Sequence, residues 1–250
     1  MKKNLLIVGD SLGLPRDNMP YSNTWTYLLC DYLQNFHTVL KLQRALNSNT
    51  INSGVKEDWL EFYKPDDVIL QVGIVDCSPR FLKNGGLLMK LVNSSPLFLK
   101  NFIWKLIKKY KTRSVVNVDV TIDRFESNIE KYINRCISIG VSRIFLIKIA
   151  KSGSDMVKKN PEILSQINLY NQIFDTLAGK YQNCILINEL TNANDDYFIE
   201  DGYHLSEFGN YNFLKPLKNT INRYAKKKIS SWYNSFCQYN FDKRANQIFF

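Results

Sequence analysis

The sequence predicts an α/β fold of three layers, with helices on both faces of a five-stranded, mainly parallel sheet. Three observations carry this. Short apolar runs alternate along the chain with longer segments of helical periodicity. Several of the runs are apolar almost without interruption, as in strands covered on both faces. The segments between them have readable helix ends.

The predicted strands are residues 4–8, 38–42, 68–72, 143–149 and 184–188. After the first, Ser22 is placed to cap a helix whose apolar face is Trp25, Leu28, Leu29, Tyr32 and Leu33. Asp123 is placed to cap a second helix, carrying Phe125, Ile129, Ile133 and Ile137, with Gly140 to end it. Pro161 suits the first turn of a third, through Ile167, Tyr170, Phe174 and Leu177. A last helix is expected from about residue 205 to 227.

One segment breaks the rhythm. Between Asp76 and Asp123 the chain is too long for a simple connection, so an insertion is expected at about residues 81–120. Within it Ser95-Pro96 starts a helix whose face is Leu99, Phe102, Ile103, Leu106, Ile107 and Tyr110, flanked by Lys100, Lys105, Lys108 and Lys109. Such a helix packs on its own domain, closes over a site, or lies on an anionic membrane; packing or a lid is expected. The domain is expected to span residues 1–228, followed by an aromatic C-terminal extension at 229–250.

Composition narrows the function classes. An apolar content of 45% and a charged content of 22% are ordinary for a globular chain of 250 residues. Its apolar runs are too short to cross a bilayer. The run after Met1-Lys2-Lys3 stops within a few residues and no cleavage site follows, so a cytoplasmic protein is expected, with the inner membrane face as an alternative address. Five scattered cysteines without a CxxC pair, and only two histidines, argue against a disulfide framework or a metal site. The net charge of +10 is uneven: residues 77–118 hold nine Lys or Arg and no acid, residues 208–241 six and none. Anionic substrates or an anionic membrane surface are therefore candidate partners; no nucleic-acid motif accompanies the charge.

Two short stretches hold the candidate chemistry. "IVGDSLG" places Ser11 in a sharp turn just past the first strand, where a parallel sheet binds its ligands. A serine is a weak nucleophile unless a base takes its proton. "DGYHLSEFGN" offers that base: Asp201 and His204, three apart on a tight turn, let the carboxylate hold one ring nitrogen and leave the other free. Either stretch alone is a common turn sequence.

Together they resemble the SGNH hydrolases, also called GDSL esterases and lipases, over residues 4–225. The resemblance implies a flavodoxin-like sheet, no cofactor, and Ser11, Asp201 and His204 as nucleophile, orienting acid and base. It makes Gly54, in "INSGV", the candidate second oxyanion amide. The family's third block reads Gly-x-Asn-Asp; here "QVGIVDCSPR" supplies Gly73 and Asp76 but puts Val75 at the Asn position. Valine has no donor, and such a donor contributes about 3–4 kcal/mol to the transition state. Arg80, on the same loop, is the candidate replacement, with an ion pair to Asp76 as its structural alternative. The string "GIVDCSPR" also resembles a subgroup found in bacterial surface-polysaccharide clusters, which implies a carbohydrate O-acetyl ester substrate, hydrolysed or transferred. Two rivals stand beside it: an esterase for lipids or thioesters at a membrane surface, and a catalytically silent binding protein on the same fold.

Overall fold

The computed structural model describes residues 2–16, 19–52, 59–79, 87–110 and 117–224. The candidates Gly54 and Arg80 and the extension 229–250 lie outside them. In chain order the elements are β1 (Lys3–Gly9), α1 (Trp25–Tyr32), β2 (Phe36–Leu42), α2 (Ser48–Ile51), α3 (Trp59–Tyr63), β3 (Asp67–Gln71), α4 (Ile74–Cys77), α5 (Leu87–Ser94), α6 (Leu97–Tyr110), α7 (Ile122–Ser138), β4 (Arg143–Ile147), α8 (Ser154–Lys159), α9 (Ile163–Lys180), β5 (Cys184–Ile187) and α10 (207–224).

All five strands pair in parallel, in the order β2-β1-β3-β4-β5. Every residue of β3 and β4 is buried: helices cover both faces of their apolar centres, residues 68–70 and 144–147, and the polar Asp67, Arg143 and Gln71 are enclosed at their ends. On one face Leu6 and Val8 line a small cavity together with Tyr132 and Arg135 of α7; on the other Phe145 meets Tyr224 of α10 edge-on. Trp25 of α1 packs edge-to-face on Phe213 of α10 at 5.5 Å, and Phe125 of α7 on Phe174 of α9 at 5.5 Å. The chain leaves β1 toward β2 on one side and enters β3 on the other. The crevice between the carboxyl ends of β1 and β3 is therefore the switch point at which such sheets hold ligands.

The expected helix ends move by one or two residues. Thr24, not Ser22, caps α1: its Oγ1 accepts from the Tyr27 amide, whereas Ser22 is held in a 3-10 turn over Tyr21–Asn23 and donates to Asn23. Thr121 is the N-cap of α7, which puts Asp123 in the first turn, where its charge favours the helix dipole. The end of α7 is as expected. Gly140 adopts φ +86°, and the amides of Gly140 and Val141 close on Ile137 and Cys136 in a Schellman turn. Pro161 precedes the Glu162 cap of α9 rather than entering the helix. Leu205 pairs with Phe198 in a bridge, so the last helix begins at 207.

The insertion departs furthest from expectation. α5 and α6 form a helical pair, but the apolar face of α6 is not packed away: Leu99, Phe102 and Leu106 are exposed, as are its Leu97 and Phe98 and the Leu91 of α5. No helix among the described residues is long and apolar enough to cross a membrane.

Candidate active site

Ser11 opens a single 3-10 turn, Ser11–Gly13, directly beyond β1. Asp10 caps that turn, its Oδ1 accepting the Leu12 amide at 2.9 Å. The Asp10 amide in turn donates to the carbonyl and side chain of Gln71, the last residue of β3. The turn is thereby tied to two adjacent strands. Thr26 secures its far end by donating to the Gly13 carbonyl at 2.7 Å. The Ser11 amide donates to no acceptor among the described residues, which leaves it available to a ligand.

The second loop meets this turn from across the chain. Asp201 Oδ1 accepts the amides of Tyr203 and His204 at 3.1 and 3.0 Å, while Oδ2 meets His204 Nδ1 at 2.5 Å. Gly202, between them, adopts φ +79°, and a Cβ there would stand 2.5 Å from the Met156 amide nitrogen. Only glycine passes at that point without displacing the chain. His204 Nε2 then lies 2.9 Å from Ser11 Oγ. Ser11, Asp201 and His204 are thus one connected chain of hydrogen bonds spanning 193 residues of sequence.

Burial and charge tune this chain. Burial lowers the His204 pKa and the Asp201 carboxylate opposes it; the positive charges of Arg16 and Arg44 lower it further, so the ring is neutral at pH 7. Burial works to raise Asp201, but the ring and amide hydrogen bonds outweigh it and hold this carboxyl below its ordinary range. A neutral imidazole with Nδ1–H fixed on a carboxylate presents the Nε2 lone pair to the serine hydroxyl.

Asp76 is fully buried and its Oδ1 accepts the Ser48 amide at 2.8 Å, which ties α4 to the start of α2. Burial pushes its carboxyl up to about 6, and pushes Asp10 up to about 7. Val75 is nearly enclosed and offers no hydrogen bond. No group of three or more His, Cys, Asp or Glu among the described residues is arranged to hold a metal.

Three residues of this site carry no sequence signal of their own. Asn210, fully buried, accepts the Trp25 amide at 2.8 Å and donates to the Ser206 carbonyl, docking α10 on α1. Arg16 places Nη2 against His204 Nε2 and 3.4 Å from the Ser11 carbonyl. Arg44 follows the end of β2, beside the end of β1. Only the nearness of Arg16 to Ser11 in sequence hints at any of these.

Comparison with known proteins adds the fold. No family model matches the chain, and no curated protein does. Solved structures do. TesA aligns with a TM-score of 0.58 at 15% identity, over 88% of this chain and 98% of its own. Axe2, an acetylxylan esterase from Geobacillus stearothermophilus, aligns at 0.59 and 15%, over 88% and 96%. A lipase/acylhydrolase from Enterococcus faecalis aligns at 0.59 and 16%, over 90% and 96%. The chain has the fold of these esterases along nearly their whole length.

Proposed function

We propose that this protein is an SGNH-type serine ester hydrolase, with Ser11 as nucleophile, His204 as base and Asp201 as the group that orients it. The observation that carries the reading is the 2.9 Å contact of Ser11 Oγ with His204 Nε2, on a ring whose other nitrogen is held by Asp201. His204 takes the hydroxyl proton as Oγ attacks the ester carbonyl, and the Ser11 amide donates to the oxygen that becomes negative. Collapse expels the alcohol, which leaves with the proton from His204. Water, or a sugar hydroxyl, then attacks the acyl-serine with His204 again as base. Hydrolysis releases the carboxylic acid while His204 returns its proton to Ser11 Oγ, and a sugar acceptor makes the same cycle an acyl transfer. Gly54, Arg80 and Asp76 remain the candidates for further oxyanion and substrate contacts.

The preferred substrate is an O-acetyl group on a carbohydrate. The acetylxylan esterase among the structural neighbours and the resemblance of "GIVDCSPR" to the polysaccharide-associated subgroup support it. Labelling with a fluorophosphonate probe tests the chemistry without knowing the substrate. The wild type is expected to label and to hydrolyse p-nitrophenyl acetate, and Ser11→Ala to do neither. Asp201→Asn is expected to lower kcat about 10³- to 10⁴-fold. A folded protein that neither labels nor turns over would instead be a binding module.

A second reading, ester hydrolysis at an anionic lipid surface, is favoured by the exposed Leu97, Phe98, Phe102 and Leu106 of α6. That helix lies in a stretch with nine basic and no acidic residues. Co-sedimentation with phosphatidylglycerol vesicles but not phosphatidylcholine vesicles, abolished by Phe98→Asp/Phe102→Asp, is its expected signature. No sedimentation with either would remove it.

A further inference from the structure

The cation beside the nucleophile is not used by the chemistry above. The backbone of Arg16 is fixed: its amide donates to the Met19 carbonyl at 3.2 Å and its carbonyl accepts the Met19 amide at 2.9 Å. Met19 is itself buried, with its Sδ against Asn210 Nδ2. From that anchor the guanidinium reaches the Ser11 carbonyl and His204 Nε2, and its Nε is buried without a partner. The second cation is set by the strands. Leu42 is in register with Gly9, Gln43 donates to the Gly9 carbonyl at 3.1 Å, and Leu46 is fully buried. Between these two anchors lies Arg44, exposed, two residues beyond the Leu42 that pairs with Gly9 at the end of β1. Among the described residues neither guanidinium has a carboxylate within ion-pair distance.

A partly buried cation is ordinarily paired, because its desolvation otherwise goes uncompensated. Here the Arg16 guanidinium lies unpaired against Ser11 and His204, and the positive charge of Arg44 reaches both His204 and Arg16. The Asp201 carboxylate, whose charge reaches Arg16, is already committed to His204. We propose that Arg16 and Arg44 form an anion subsite beside Ser11, and that the preferred ester carries a carboxylate or phosphate group close to the bond that is cleaved. The inference rests on the ester-hydrolase reading and narrows its substrate class. Guanidinium forks match either anion in a two-pronged geometry. An anion that takes up the Nη2 hydrogens of Arg16 also leaves His204 Nε2 to the Ser11 hydroxyl alone.

Three matched acetates test this: methyl 4-acetoxybenzoate, which is neutral, 4-acetoxybenzoate, and 4-acetoxyphenyl phosphate. At low salt the wild type is expected to favour at least one anionic ester over the neutral one by about tenfold or more in kcat/KM. Which anion gains tells carboxylate from phosphate. The preference should shrink with added salt. Arg44→Gln is expected to bring the ratio toward one, and Arg44→Glu to invert it, a change that a merely structural role would not produce. Calorimetric titration of the full-length Ser11→Ala protein with inorganic phosphate and with 4-hydroxybenzoate reads the subsite without turnover. Binding of at least one anion, lost in Ser11→Ala/Arg44→Glu, is expected. Equal rates on all three esters by an enzyme whose Ser11 labels would overturn the subsite and leave the hydrolase standing. Absence of labelling with anion binding intact would do the reverse. Absence of binding by either anion overturns the subsite.

Discussion

The side-chain carbonyl of Asn210 accepts the backbone amide of Trp25 across 185 residues of sequence. Trp25 begins the helix that follows the Ser11 turn, and Asn210 sits in the first turn of the helix that follows His204. One buried amide therefore ties together the two elements that follow the loops of Ser11 and His204. Asn210→Ala leaves the Trp25 amide buried and unpaired, for an expected loss of about 1–3 kcal/mol. Denaturant midpoints measure that loss. Asn210→Asp keeps the acceptor but loses the amide donated to the Ser206 carbonyl, and should fall between the alanine variant and wild type.

The pH dependence of activity should report Arg16. His204 faces Asp201, Ser11, Arg16 and the Tyr203 ring, with the charge of Arg44 also reaching it. Burial and the two arginines depress its pKa against Asp201, so kcat/KM should rise with pH along an acid limb centred below the ordinary value near 6.5. Arg16→Gln removes one depressing charge and should move that limb upward. A limb in the same place in both proteins would mean that Arg16 does not act on the base.

Asp10 makes stability depend on pH in the opposite sense from most carboxylates. Below about pH 4 it is protonated in both folded and unfolded chains. As pH rises toward 7 the unfolded chain gives up this proton while the folded one keeps it, because burial holds the folded value at about 7. The contribution of Asp10 is therefore fully present below its unfolded pKa and is lost as pH rises through about 7. Asn keeps an oxygen for the Leu12 amide and has no charge to bury. Asp10→Asn should gain on the wild type by about 2 kcal/mol between pH 5 and pH 8, read from denaturant midpoints. A difference independent of pH would show that the carboxyl does not titrate in this range.

What could be read from sequence alone follows how local each signal is. The strands were legible because burial on both faces leaves their centres apolar without a break, as at residues 68–70 of β3 and 144–147 of β4. The pairing of Asp201 with His204 was legible because it needs only a four-residue turn. Thr24 was missed as a cap because Ser22, an equally good capping residue, lies two positions earlier; Pro20 and the 3-10 turn decide between them. The exposed face of α6 does not pack as one of its two expected roles requires, because periodicity reports that a helix has an apolar face, not whether that face meets the protein. Asn210, Arg16 and Arg44 were beyond reach for a related reason. Each acts through a partner on another element, and a single polar residue in a helix or loop carries no mark of the residue it will meet.

The opposite end of the sheet offers a test of stability separate from the chemistry. Asp67 and Arg143 are register partners at the first positions of β3 and β4, both almost fully buried, with Arg143 Nε donating to Asp67 Oδ1 at 2.7 Å and Nη2 meeting Oδ2. Arg143 Nη1 is buried with no partner, so the pair is not fully satisfied. Removing one member strands a charge: Arg143→Met should cost about 3–5 kcal/mol. Removing both as Asp67→Leu/Arg143→Met should recover most of that, since well-packed apolar residues replace a buried pair at little net cost. Because the pair lies at the amino ends of the strands and Ser11 beyond the carboxyl ends, the double variant should keep the wild-type kcat wherever it is folded. If it is as unstable as the single variant, the ion pair contributes more than its own desolvation costs.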